Sequence, residues 1–319
     1  MAEELLKVEN LSIDYKIEGG YLSAVNDVSF SIEPGQVMAL VGESGCGKST
    51  IAHTVMRLSI DHNEKIGGHI YFQGRDLLAL SEPDMEKVRG KEIGMIFQNP
   101  LDSLNPVYRA GTQVEEGLKL DGISGEEAKQ RVLELFKDVQ IPNPETRMES
   151  FPHELSGGMR QRVMIAMMLA REPKLLIADE PTTALDVTVE AQVLRIMKDM
   201  CEKEHAAVLL ITHNFGIVAE IADRVGIMYA GELVEDGEIH EIFRQPIHPY
   251  AQAVLSALPR MKKSQGRIQA IEGNVPRITE KEDVCRFANR CPYAEAICRE
   301  KRPERREVVP GHWVCCHVK

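Results

Sequence analysis

Short apolar runs punctuate the first 240 positions, each followed by a stretch that is polar or favours helix. Val37–Val41, Ile93–Phe97, Leu175–Ala178 and Val208–Thr212 contain almost no polar residue. Runs so uniformly apolar predict parallel strands covered on both faces, and their alternation with helical stretches predicts an α/β core. The stretch from Val114 to Glu149 breaks the pattern. Within it EEAKQRVLELFKDV sets Val132, Leu135, Phe136 and Val139 on one helical face, which predicts a helical insertion at roughly 99–160. After Gly237 the chain turns proline-rich (Pro246, Pro249, Pro259, Pro276) and then rich in Cys and Arg. That shift predicts one large α/β domain over 1–240 and a separate small domain over 241–319.

Composition narrows the class. A chain of 319 residues, 43% hydrophobic and 27% charged, can bury a substantial core. A net charge of −11 and a pI near 5.5 argue against a broadly basic surface for nucleic acid. No run approaches the ~20 apolar residues that a membrane span needs, and MAEELLKVENLSIDY lacks the basic and apolar regions of a signal peptide. The expectation is a cytosolic protein, or one resting on the inner face of a membrane.

The chemistry begins at Gly42-Glu43-Ser44-Gly45-Cys46-Gly47-Lys48-Ser49, which follows one apolar run and opens a helix-compatible segment from Thr50. This strand–loop–helix context is what a phosphate-binding loop requires. Glycines let backbone N–H groups turn inward, and the helix N-terminus adds its positive dipole end. Lys48 is placed to reach the β- and γ-phosphates of ATP, and the Ser49 hydroxyl to ligate Mg²⁺. Leu175 to Glu180 is an apolar run ending in two carboxylates, Asp179 for the metal and Glu180 for the attacking water. Leu155-Ser156-Gly157-Gly158-Met159-Arg160-Gln161 offers a second phosphate site, with Ser156 a good N-cap for the helical run that follows.

This LSGGMRQR motif, 19 residues ahead of LLIADEP, resembles the signature of the ABC-type ATPases. The resemblance implies a nucleotide-binding domain whose partner packs head to tail, the signature of one subunit facing the phosphate loop of the other. By the same resemblance Gln98 matches the Q-loop glutamine, Asp186 the D-loop aspartate, and His213 the switch histidine. Tyr15, 27 residues ahead of Gly42, matches the aromatic that stacks on adenine, with Gly42, Ser44, Gly45, Gly47 and Thr50 completing the nucleotide contacts.

Residues 98–108, Ile247-His248-Pro249-Tyr250 and the Cys-rich tail resemble the ATPase subunits of oligopeptide and dipeptide permeases. That likeness implies an ATP-hydrolysing, energy-coupling subunit of a peptide importer, peripheral on the cytoplasmic face of the cell membrane. Its implied partners are two transmembrane permease subunits, an extracytoplasmic binding protein and a second ATPase, in a heterodimer or alternatively a homodimer. Importers of nickel or oligosaccharides use the same ATPase type and stay open as alternatives. A soluble ABC ATPase of DNA repair or translation would carry two cassettes, coiled coils or basic arms, and a regulatory iron–sulfur protein would not need intact Lys48, Asp179, Glu180 and His213.

Seven cysteines are unevenly spaced. Cys46 and Cys201 read as steric and packing residues. Cys285, Cys291 and Cys298 with Cys316, or alternatively Cys315, could hold a 4Fe-4S cluster, and Cys291-Pro292 is of the ferredoxin type. Zn²⁺ is the competing reading, although the C-x2–4-C knuckles usual for zinc are missing. Either group would hold folded a tail with little apolar content of its own.

Overall fold

The computed structural model describes residues 4–58, 63–98, 103–182, 187–258, 273–279 and 283–318, with backbone alone at Val187 and Thr188. In chain order the elements begin with β1 (Leu6–Ile17), β2 (Gly20–Ile32), β3 (Val37–Val41) and α1 (Lys48–Val55). Then come β4 (Glu64–Phe72), β5 (Arg75–Asp76), α2 (Glu82–Val88) and β6 (Ile93–Ile96). The insertion supplies α3 (Ala110–Leu120), α4 (Gly125–Asp138), α5 (Pro144–Met148) and α6 (Gly157–Leu169). After it come β7 (Leu175–Asp179), α7 (Val187–Lys203), β8 (Ala207–Thr212), α8 (Phe215–Ile221), β9 (Arg224–Tyr229) and β10 (Glu232–Glu238). The chain ends with α9 (Ile239–Arg244), α10 (Pro249–Ser256), β11 (Arg305–Val309) and β12 (His312–Cys315).

These elements form two compact units. One gathers residues 1–32, 38–79 and 212–319, the other 33–37 and 80–211. In the first, β1 pairs antiparallel with both β2 and β4. Its inward positions alternate as period-2 patterning requires, with Leu6, Val8, Leu11 and Ile13 buried. The fully buried β3 lies parallel to β9, which turns back on β10. β12 then pairs antiparallel with β10, and β11 with β12, so the tail's strands continue this sheet rather than standing apart from it.

In the second unit β6, β7 and β8 run parallel, Ile93 opposite Leu175 and Leu175 opposite Ala207. All residues of these three strands are buried, as their unbroken apolar sequence predicts. The insertion is helical as expected, α3 and α4 separated by the Asp121–Gly122 turn and α4 and α5 by the Gln140–Asn143 turn. Val132, Leu135, Phe136 and Val139 all face inward, each worth about 1.5–3 kcal/mol of burial. Arg171 ties the end of α3 to the segment before β7 through two bonds to Asp121, 2.9 and 3.0 Å, and these hold that carboxyl down at about 2.

The four strands expected from the apolar runs are present, with shifts at their ends. The strand expected at Ile93–Phe97 stops at Ile96, and the helix expected from Thr50 begins at Lys48. The long β1–β2 ribbon escaped sequence patterning, because alternation there is interrupted at Asn10 and Asp27, which both have positive φ. Asn10 Nδ2 donates to Asp27 Oδ1 at 2.8 Å across that irregularity. Among the described residues no helix is long and apolar enough to cross a membrane.

Candidate functional site: a phosphate loop and a signature helix

β3 delivers the chain into a loop that the amino acids at 42–47 alone can close. At Gly47 φ is +100°, and an added Cβ would lie 2.5 Å from the carbonyl oxygen of Ala24. Strain and space both exclude a side chain there. Gly47 is also the N-cap of α1 and brings no side-chain cap to its first turn; such a helix start suits an anionic ligand. Lys48 is buried, its Nζ donating to the carbonyls of Gly42 (2.9 Å) and Glu43 (3.2 Å) and lying 3.6 Å from Cys46 Sγ. The ammonium is thus folded back over the loop. Ser44 and Gly45 are exposed at the rim, and Ser49 and Thr50 are half-buried.

Tyr15 lies beside this helix start, its phenol hydrogen-bonded to Thr50, and burial raises its pKa. Lys65 Nζ sits 3.9 Å over the ring of Tyr21, the other aromatic nearby in sequence. His213 follows β8, exposed, between Thr212 and Asn214. The Asn214 N–H donates to Thr212 Oγ1 (3.0 Å), and Asn214 Oδ1 caps α8, so the histidine's backbone is pinned on both sides.

In the second unit β7 ends at Asp179, which is 2% exposed. Glu180 follows with φ +44°, an uncommon conformation for a side-chain-bearing residue, held by its N–H to Ile211 O at 2.8 Å. Gln98 Nε2 donates to Glu180 Oε2 at 3.1 Å, so this unit brings the amide and the carboxylate together. Ser156 opens α6, and its Oγ accepts from the Met159 N–H at 3.3 Å. Gly157 and Gly158 form the first turn; a Cβ on Gly158 would lie 2.8 Å from Val189 Cγ1. Asp186 lies outside the described residues, as do Asn99 to Asp102.

The profile of the ABC transporter family matches residues 25–183, and that of the oligopeptide/dipeptide transporter C-terminal region matches residues 234–298. OppD of Bacillus subtilis, an oligopeptide transport ATP-binding protein, is 48% identical over 313 residues, 97% of this chain and 87% of its own. The chain belongs to the ABC transporter ATP-binding proteins. DppD of Escherichia coli, a dipeptide transport ATP-binding protein, is 43% identical over 315 residues, 98% of this chain and 96% of its own. Among solved structures the dimeric structure of MJ0796, a bacterial ABC transporter cassette, is similar with a TM-score of 0.65 and 29% identity. It is matched over 98% of its length by 73% of this chain. These likenesses confirm the ABC-type α/β fold.

The tail departs from expectation. Among the described residues no group of three or more His, Cys, Asp or Glu side chains is gathered so as to hold a metal ion. Four thiolates about a single Zn²⁺ stand about 3.8 Å apart, given Zn–S bonds of about 2.3 Å in a tetrahedron, and no such set exists among these residues. The metal-binding extension read from cysteine spacing is therefore not supported. The thiols do share a neighbourhood. Burial first, then the charges of Cys298, Glu232 and Cys316, push Cys285 up to about 11. Cys291 is raised by burial and by Cys316 and Cys298. Cys315 is pushed up to about 12 by burial and by Glu232, with no other cysteine among its influences. Cys315 ends β12 and Cys316 lies just beyond it. Cys46 is fully buried and its thiol raised by burial, a poor setting for oxidation.

Sequence reasoning gave Glu43 no role. Arg290, 247 residues later, forms an ion pair with it at 3.1 Å. No spacing rule connects them.

Proposed function

We propose that the chain is the ATP-hydrolysing, energy-coupling subunit of an ABC importer for di- or oligopeptides. The observation that carries this reading is one chain holding a glycine-shaped phosphate loop, a capped LSGG helix and the peptide-transporter C-terminal region together. The relatives' names, oligopeptide and dipeptide transport ATP-binding proteins, support the substrate class.

In this reading the loop N–H groups and Lys48 bind the β- and γ-phosphates, and Tyr15 stacks on adenine. Ser49, Gln98 and Asp179 offer hydroxyl, amide and carboxylate oxygens, the hard donors that suit Mg²⁺, which would neutralise phosphate charge. Glu180, oriented by Gln98, accepts a proton from the water that attacks the γ-phosphorus; the bond to the bridging oxygen breaks and ADP leaves with it. His213 holds the γ-phosphate and that water. Ser156, Gly157, Gly158 and Asp186 serve the nucleotide of a second ATPase subunit, and ATP-driven closure of the pair moves two permease subunits fed by an external binding protein. The domain assignment is 1–240 for the ATPase and 241–319 for the extension, on the cytoplasmic face of the membrane. The reading includes a 4Fe-4S cluster on Cys285, Cys291, Cys298 and Cys316, supported by the mutual influence of these thiols. Iron and sulfide analysis of anaerobically purified protein decides it.

The deciding experiment reconstitutes the chain with its permease subunits and binding protein and offers dipeptides, oligopeptides, nickel or oligosaccharides. ATPase activity stimulated by peptides alone is expected. Stimulation by nickel or sugar alone would overturn the substrate class.

A further inference from the structure

Within its own compact unit, the C-terminal region reaches the phosphate loop along two arms four residues apart. Arg290 is the direct arm. Its side chain is 9% exposed, and Nη1 donates to both Glu43 carboxylate oxygens, at 3.1 and 3.3 Å, and to Tyr229 Oη at 3.3 Å. Its Nη2 donates to Gly273 O at 3.1 Å, so the guanidinium is fixed from both sides. The main chain of Glu43 is held as well, its N–H donating to Tyr250 Oη at 3.2 Å.

Arg286 is the indirect arm. It donates to the carbonyl of Ala230 and, at 3.1 Å, to Ser23 Oγ. The next residue, Gly231, donates its N–H to the carbonyl of Cys46, inside the loop, at 3.0 Å. Phe287 fills the space between the arms, 2% exposed, with its ring centroid 5.0 Å from Tyr229, 5.5 Å from Tyr250 and 5.6 Å from His248. Both ends of the loop's first half are thus fastened by residues more than 180 positions away in sequence.

We propose that Arg290 is a positioning residue for nucleotide binding. It holds Glu43, and with it the loop, in the shape that receives the triphosphate, and it neutralises a carboxylate lying beside the incoming phosphate charge. A glycine-rich loop otherwise loses conformational entropy on closing round its ligand, so prior fastening raises affinity. The extension thereby sets ATP affinity, an effect additional to the reading of the chain as an ATPase and resting on it.

The test is a double-mutant cycle on the intact chain, read as the Kd of a fluorescent ATP analogue with Mg²⁺ and as KM and kcat. Arg290→Ala is expected to weaken binding about 5- to 30-fold, the range for losing a charged hydrogen-bonded pair at a part-buried site. The loss falls on KM rather than kcat. In the Glu43→Gln background the same change costs less than about 2-fold, since its partner charge is gone. Arg290→Lys recovers part of the affinity. If Arg290→Ala does not fold, Arg290→Gln carries the cycle. Equal losses in both backgrounds, or unchanged Kd, would overturn the proposal. Wild-type protein that binds no ATP would instead defeat the ATPase reading itself.

Discussion

Two glycine-rich helix starts in this chain are held by opposite means. α6 is capped locally: Ser156 caps it with its own hydroxyl, and Gly158 leaves room for Val189 against its first turn. α1 brings no side-chain cap, and its loop takes its shape from distant chain: Ala24 against Gly47, Gly231 on Cys46, Tyr250 and Arg290 on Glu43. A locally capped start is robust, but it spends a donor on its own serine. A start braced from afar keeps its donors for a ligand and depends on the rest of the fold to present them.

The comparison can be broken most severely at Gly47. Gly47→Ala forces a side chain into a left-handed backbone and against a carbonyl oxygen, so ATP affinity is expected to fall more than about 100-fold, with about 2–4 kcal/mol of stability lost. Isothermal titration and chemical denaturation check the two parts. Retained affinity would show that the loop adapts.

A second prediction sharpens the dependence of the loop on distant residues. His248, whose Nδ1 accepts the Tyr250 N–H at 3.1 Å, is 2% exposed, and burial lowers its pKa to about 3. Below the usual value near 6.5 the unfolded chain takes up a proton that the folded chain refuses, so this group's contribution to stability declines as pH falls from 6.5 towards 3. Between pH 6.5 and 5 that amounts to about 2 kcal/mol, read by denaturant unfolding. His248→Asn should flatten the slope while keeping a cap acceptor for α10; an unchanged slope would assign the titration elsewhere.

The smallest effect is expected at the self-capped start. Ser156→Ala loses one cap, about 1 kcal/mol, with the Kd for ATP on its own phosphate loop unchanged. A large rise in that Kd would mean the two helix starts are coupled within one chain.

The same contrast explains what could be read beforehand. Val37–Val41, Leu175–Ala178 and Val208–Thr212 were legible because an unbroken apolar run is the mark of a strand buried on both faces. The loop from Gly42 to Ser49 was legible because phosphate chemistry dictates local residue types. The helical face at Val132, Leu135, Phe136 and Val139 followed from its period. What escaped was non-local. Nothing in Glu43 announces Arg290, and nothing in the tail's prolines announces that β12 would pair with β10, Glu235 opposite Val314. Cysteine spacing proved a weak guide for the same reason, since it records positions along the chain and not the directions of side chains in the fold.

The most direct measurement of the central claim is hydrolysis by a Glu180→Gln variant, with ATP binding measured on the same preparation. With binding assigned to the loop and proton transfer to Glu180 as proposed, the Kd is expected within about 3-fold of wild type and the kcat at least about 100-fold lower. Turnover near the wild-type rate would contradict it, and would remove Glu180, with Gln98 beside it, from the chemistry.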